Sequence, residues 1–194
     1  MDTKVKGRDW KRWAGSNSAL IAFVVLFVLA VIFQGSMFLS FNNIINILRN
    51  NSVIGIIALG MTLVIITGGI DLSVGSQLAF TGVIIIQIFN QTQSIVLTLA
   101  ASIIMALVLG IITGLLVAKF RIPAFITTLG SMSIYRSVAQ YWLNGGGLTA
   151  AGDKLDSYLS ISNTNLFGVI PMPIIVWIVC AVFVYLFAQH TATG

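Results

Sequence analysis

The sequence predicts an all-α fold: a polytopic transmembrane helix bundle of about six spans, with both termini cytoplasmic. Three observations carry that expectation. Of 194 residues, 58% are hydrophobic and only 8% charged, whereas a soluble domain carries roughly 25% charged residues, so water cannot solvate most of this surface. Half of the ten basic residues (Lys4, Lys6, Arg8, Lys11 and Arg12) crowd the first dozen positions beside Trp10 and Trp13, the composition of a positive-inside anchor ahead of a first span. Apolar stretches of membrane-spanning length then recur along the chain, one of them broken by glycine near residues 67–76.

Residues 1–17 read as a basic cytoplasmic tail and 18–194 as the membrane domain. Segment one, Ser18 to Phe33, is continuously apolar and crosses about 30 Å if its flanks contribute. From Ser40 to Asn51, Phe41, Ile44, Ile45 and Leu48 recur at helical spacing among asparagines, which predicts a short interfacial helix. Segment two follows, Ser52 to Thr67, and segment three runs from Leu72 to Phe89. Segment four, Ser94 to Val117, carries Ala106, Gly110, Gly114 and Ala118 at four-residue intervals. Small residues on one stripe let helix backbones approach, so this face is expected to pack against a neighbour. Lys119 and Arg121 return the chain to the cytoplasm, and Pro123 suits the first turn of segment five, which ends at the interfacial pair Tyr141 and Trp142. Residues 144–168 are polar and glycine-rich, an external loop too polar for lipid. Segment six, Val169 to Ala188, brings the chain back.

Chemistry concentrates where segments two and three meet. The run ALGMTLVIITGGIDLSVGS, Ala58 to Ser76, places Gly68, Gly69, Asp71 and Ser73 between two apolar helices. An ionisable group at membrane depth is costly and marks a functional site, and glycine-interrupted helices are where many transporters place such sites. The structural alternative is a sharp turn in which Asp71 caps the next helix. Arg136, inside segment five, has the same two readings: part of a substrate pathway or gate, or a snorkelling side chain. On simple counting it lies about 20 Å along its helix, several residues' rise from Asp71, so the two meet only if the glycine pair breaks segment two at the midplane.

Other chemistry is excluded by composition. Neither a G-x-x-x-x-G-K-[ST] phosphate loop nor a glutamate occurs in these 194 residues, so ATP hydrolysis through the usual cradle is not expected of them. One cysteine, Cys180, and one histidine, His190, supply no metal cluster and no nucleophile–base pair. No catalytic residue, metal or cofactor is therefore expected, and a nucleic-acid partner is disfavoured because the basic residues sit with tryptophans at the first span.

The run from Ala58 to Ser76 resembles the segment that marks the ribose-type family of ABC transporter permeases. NNIINILRNNSVIGIIALG before it and GLLVAKFRIPAFITTLGSMSIYR after it match as well, and the similarity covers nearly everything beyond residue 18. The resemblance implies a permease subunit in the bacterial inner membrane that moves a monosaccharide or small polyol. Its implied partners are a second permease copy (the same chain or a paralogue), a cytoplasmic ABC ATPase and an extracytoplasmic sugar-binding protein. Gly68, Gly69, Asp71 and Ser73 carry over as motif positions. The glycines are expected to let the helix bend, with Asp71 holding the bend by accepting backbone or hydroxyl hydrogen bonds. Two departures stand out: Ser137 follows Arg136 where many members have glycine, and members continue into an ATPase-engaging loop and further helices, so the chain is expected to be truncated relative to the family. A non-transporting scaffold and an ion-coupled secondary transporter remain as alternatives.

Overall fold

The computed structural model describes residues 15–166 and 168–190, with the side chain of His190 excepted; most of the expected basic tail, and the last residues after His190, lie outside them. Six long helices occupy the six expected segments: α1 (Ser18–Gln34), α2 (Phe41–Ile66), α3 (Val74–Thr92), α4 (Ile95–Ala118) and α5 (Ala124–Trp142) in succession, then, after a short α6 (Leu155–Asn163), α7 (Met172–His190). Among the described residues four stretches are long and apolar enough to cross a membrane: Ser18–Met37, Phe41–Ile66, Ile95–Ala118 and Met172–Gln189. α3 and α5 have nearly the same length but carry more polar side chains.

Burial is inverted relative to a water-soluble protein. Large apolar side chains from Leu20 to Phe187 are exposed, while Ser52, Ser73, Ser76, Thr98, Thr127, Thr128 and Ser131 are buried. Hydrocarbon gives apolar side chains no reason to leave the surface, and small hydroxylated residues allow helices close approach, so lipid as solvent accounts for both facts.

The chain divides into two compact units between Asn50 and Asn51, within α2. In the first, Gly35 ends α1 with a positive φ of 58°, a short 3-10 turn follows at Gly35–Met37, and Phe27 meets Phe38 edge to face at 5.5 Å. The Ser40 hydroxyl accepts from the Asn43 N–H at 3.3 Å and opens α2. The expected separate interfacial helix is absent: residues 41–66 form one helix. Neither glycine nor proline falls between Phe41 and Ile54, and an uninterrupted ladder avoids the unsatisfied backbone groups that two extra helix ends would create.

In the second unit α3 is central, packed along α4 and α5, which touch each other less. Phe80 of α3 stacks on Tyr135 of α5 at 5.7 Å. A Cβ on Gly55 of α2 would overlap the Trp177 indole of α7, so that glycine is the hole into which the ring fits. The 144–168 segment, expected as a loop, contains α6 and one strand of a minimal antiparallel pair, β1 (Asn165–Leu166) with β2 (Ile170–Pro171).

Candidate functional site at the Asp71 turn

α2 ends because Gly68 enters the left-handed region, at φ 76°, which costs glycine nothing. Its N–H donates to the Ile65 carbonyl at 2.9 Å, and the Gly69 N–H reaches back to the Val64 carbonyl at 3.0 Å. This paired pattern is a Schellman stop, and it satisfies carbonyls that hydrocarbon would leave unpaired. Gly69 is held close, since a Cβ there would sit 3.3 Å from Val64 Cγ1. The glycine pair thus closes α2 completely and does not merely soften it.

Asp71 then braces Ser73, the residue that precedes α3. Its Oδ1 accepts from the Ser73 N–H at 2.8 Å and from the Ser73 hydroxyl at 2.6 Å. The Ser73 carbonyl in turn accepts the Gln77 N–H at 2.8 Å and the Ser76 hydroxyl at 2.7 Å. Ser73 is completely buried. A carboxylate at a helix N-terminus is favoured by the free N–H groups and the helix dipole, which offsets part of the cost of a charge near hydrocarbon. Among the described residues Oδ2 makes no hydrogen bond and is available to a ligand.

Beside the turn lies a cleft of about 340 Å³. Asp71, Gln77, Thr113 and Thr128 line it, and Gly69, Gly110, Gly114 and Ala118 leave its space open. A Cβ on Gly110 or Gly114 would meet nothing within 4 Å. Ala106, the outermost member of the small-residue stripe, borders a neighbouring cleft of about 240 Å³ with Val74 and Thr81. One carboxylate oxygen, a carboxamide and the hydroxyls of Thr67, Thr113 and Thr128 at the margin of this cleft are a hydrogen-bonding set for a polar ligand.

The hydroxyl of Thr128, in α5, donates to the Ile70 carbonyl at 3.2 Å and ties the turn to α5 little more than one helical turn beyond Pro123. The glycine break therefore lies at the end of the bundle that carries Lys119 and Arg121. Arg136 is eight residues beyond Thr128, about 12 Å along the helix. It is exposed, and among the described residues no ion pair joins it to Asp71. A charge at bilayer depth costs about 2.5–3.5 kcal/mol or more.

Gln77, Thr113 and Thr128 escaped the sequence reading; their signal was a carboxamide and hydroxyls on otherwise apolar helices, which is common. The opposite end of α3 was also missed. There the Asn90 side chain donates to the Thr149 carbonyl at 3.0 Å and accepts from the Ala151 N–H at 2.8 Å. Gln93 donates to the Ala151 carbonyl at 2.9 Å and accepts from the Lys154 N–H at 3.2 Å. Phe89 stacks on Tyr158 of α6 at 4.4 Å.

An apolar-surfaced bundle of long helices, with a hydrogen-bonding turn between two of them at one end, defines a multi-pass membrane protein. The chain belongs to the family described as branched-chain amino acid transport system / permease component, whose match covers residues 43–194, and it is a multi-pass protein of the bacterial inner membrane. It is 36% identical to the ribose import permease protein RbsC of Escherichia coli K12, over 98% of this chain and 60% of that protein. To the L-arabinose transport system permease protein AraH of the same strain it is 32% identical, over 97% of this chain and 55% of the relative. To the autoinducer 2 import system permease protein LsrC of E. coli SMS-3-5 it is also 32% identical, over 91% and 50%. The chain thus spans between half and three fifths of the length of these relatives. No solved structure matches it.

Proposed function

We propose that this chain belongs to a membrane permease subunit of an ATP-binding cassette importer for a monosaccharide, ribose-like, or a related small polyol. Energy comes from a separate cytoplasmic ATPase; a second permease copy completes the membrane portion, and an extracytoplasmic sugar-binding protein delivers substrate. The observation that carries this reading is the Asp71 turn: a carboxylate with one oxygen committed to Ser73 and the other free, at the edge of a cleft lined by a carboxamide and hydroxyls. Sugars are neutral and rich in hydroxyls, and such a margin offers them donors and acceptors. The import permeases to which the chain is similar, for ribose, arabinose and autoinducer 2, support the same class.

In this mechanism α2 and α3 are separate rods joined at Gly68–Ser73, and the turn opens or closes the cleft as the two tilt. Asp71 keeps the first turn of α3 intact through that motion. The test is uptake of labelled ribose, and then of a panel of pentoses and hexoses, into proteoliposomes carrying the full-length permease with its ATPase and binding protein. Uptake that requires internal ATP is expected. Uptake driven by an ion gradient without ATP would replace this reading with secondary transport, and partner binding without any uptake would replace it with a scaffold.

A further inference from the structure

In the first turn of α5 a polar atom is enclosed without a partner. Thr127 is buried with Thr128 and Ser131, and among the described residues its hydroxyl is the one buried side-chain group that makes no hydrogen bond. Threonines on these helices ordinarily satisfy themselves. Thr62, Thr92, Thr98 and Thr113 each donate to the carbonyl four residues back, at 2.8–3.0 Å. For Thr127 that carbonyl belongs to Pro123, and it already accepts the N–H of Ile126 at 3.0 Å and the N–H of Thr127 itself at 3.1 Å. Both of its lone pairs are taken. The neighbouring Thr128 hydroxyl has its acceptor across the bundle, on Ile70; Thr127 has none.

An enclosed donor without a partner is costly, and it calls for a bound water or for a second arrangement of the structure. Here the oxygen is shut off from solvent, and further chain packed around the bundle cannot reach an atom already enclosed. The missing acceptor therefore belongs to another arrangement of these helices, and the Asp71 cleft shows where it comes from. The cleft wall includes Ala124 and Thr128 of α5, and at 100° per residue Thr127 stands about 60° round the helix from Ala124. We propose that the cleft has a wider form, in which the first turn of α5 draws back from its neighbours and cleft water bonds the Thr127 hydroxyl. Thr127 is then a switch residue. Its unpaired donor disfavours the narrow form seen here, its hydration favours the wide one, and the pocket uncovered is a cryptic polar extension of the cleft. A role in transport rests on the importer reading above; the wide form itself does not.

Two measurements on the full-length permease, assembled with its ATPase in inside-out membranes, test this. In an otherwise cysteine-free permease carrying Cys180→Ala, Thr127→Cys is treated with a membrane-impermeant methanethiosulfonate, first without nucleotide and then with ATP held unhydrolysed. Labelling is expected to be about tenfold faster in one state than in the other, because the reactive thiolate forms where water reaches it. Thr113→Cys, on the cleft wall, is expected to label alike in both. With ATP-driven uptake intact, equal rates at Thr127→Cys, slow or fast, would overturn the proposal; equal rates without such uptake would count against the importer reading, and the second measurement then decides. Thr127→Val removes the unpaired donor at nearly constant shape. It is expected to raise the melting temperature by about 2–4 °C, whereas Thr98→Val, which deletes a satisfied bond, lowers it. Uptake is expected to fall severalfold in Thr127→Val, which favours the narrow form, and to persist in Thr127→Ser. A melting temperature that falls in Thr127→Val as it does in Thr98→Val would overturn the proposal, because the hydroxyl would then have a partner in the native form.

Discussion

The two ends of α3 are held by different means. At the Asp71 end, the turn is closed by bonds within itself, and a single hydrogen bond, Thr128 to Ile70, reaches another helix beside an open cleft. At the Gln93 end, four side-chain-to-backbone bonds and an aromatic stack fasten residues 149–158 across a sequence distance of about sixty. With each hydrogen bond contributing a net ~1 kcal/mol, the second end is anchored several times more strongly. Motion of α3 is therefore expected to pivot about its Gln93 end and to be largest at the Asp71 turn. A carboxamide suits an anchor because it donates and accepts at once, so each of Asn90 and Gln93 closes a two-bond clamp on passing backbone.

The sharpest way to break this contrast is Gly152→Ala. Gly152 sits at φ 127° with the Gln93 carboxamide against it, where a Cβ would overlap that side chain. The substitution strains the backbone and expels the clamp, at a cost of about 2–3 kcal/mol. Faster proteolysis of the 144–168 segment in sealed right-side-out membranes is expected, and an unchanged cleavage rate would show that the clamp is not the anchor. A smaller effect is expected at Asp71. Asp71→Asn keeps an Oδ1 acceptor for Ser73 and is expected to preserve assembly while lowering transport, whereas Asp71→Ala removes both bonds at about 1 kcal/mol of helix stability. Normal uptake by Asp71→Ala in the intact permease would remove the turn from the mechanism. The smallest change is expected from Thr128→Val, which deletes one interhelical bond at about 0.6 kcal/mol. A modest rise in exchange of the Ile70–Ser73 amides, with the amides around Ala151 unaffected, would locate the mobility at the turn; equal rises at both ends would contradict the pivot.

Much of the fold was legible because hydrocarbon imposes a local rule. A span must bond its own backbone and show apolar side chains to lipid, so five of the six segments predicted their helices to within a few residues, as with Ser94 to Val117 against Ile95–Ala118, while the helix of segment two starts eleven residues before Ser52. The exceptions have local causes. The asparagines of residues 42–51 suggested a separate helix, but polarity does not end a helix where no breaker stands, and α2 runs through. Within the polar 144–168 segment, Leu155, Tyr158 and Leu159 carried a short helical pattern that glycine and serine content masked.

For the candidate site, the residue types that suit the Asp71 turn are written in order: a glycine that tolerates positive φ, a carboxylate two residues ahead of a serine, then an apolar helix. Such features depend on φ, ψ and bonds across two to five positions, and they belong to the chain wherever it folds. The cleft is of another kind. It exists because α4 brings the small side of Gly110 and Gly114 to residues forty positions earlier, and because Thr128 reaches Ile70 across fifty-eight. The carboxamide clamp is likewise a meeting of distant backbone with Asn90 and Gln93, residue types common enough in any sequence to pass without remark. Local chemistry set where the helices begin and stop and which charge stands at the break; the packing of α3 against α4 and α5 set what that charge faces, since long-range contact depends on how helix faces fit and not on any one residue's preference.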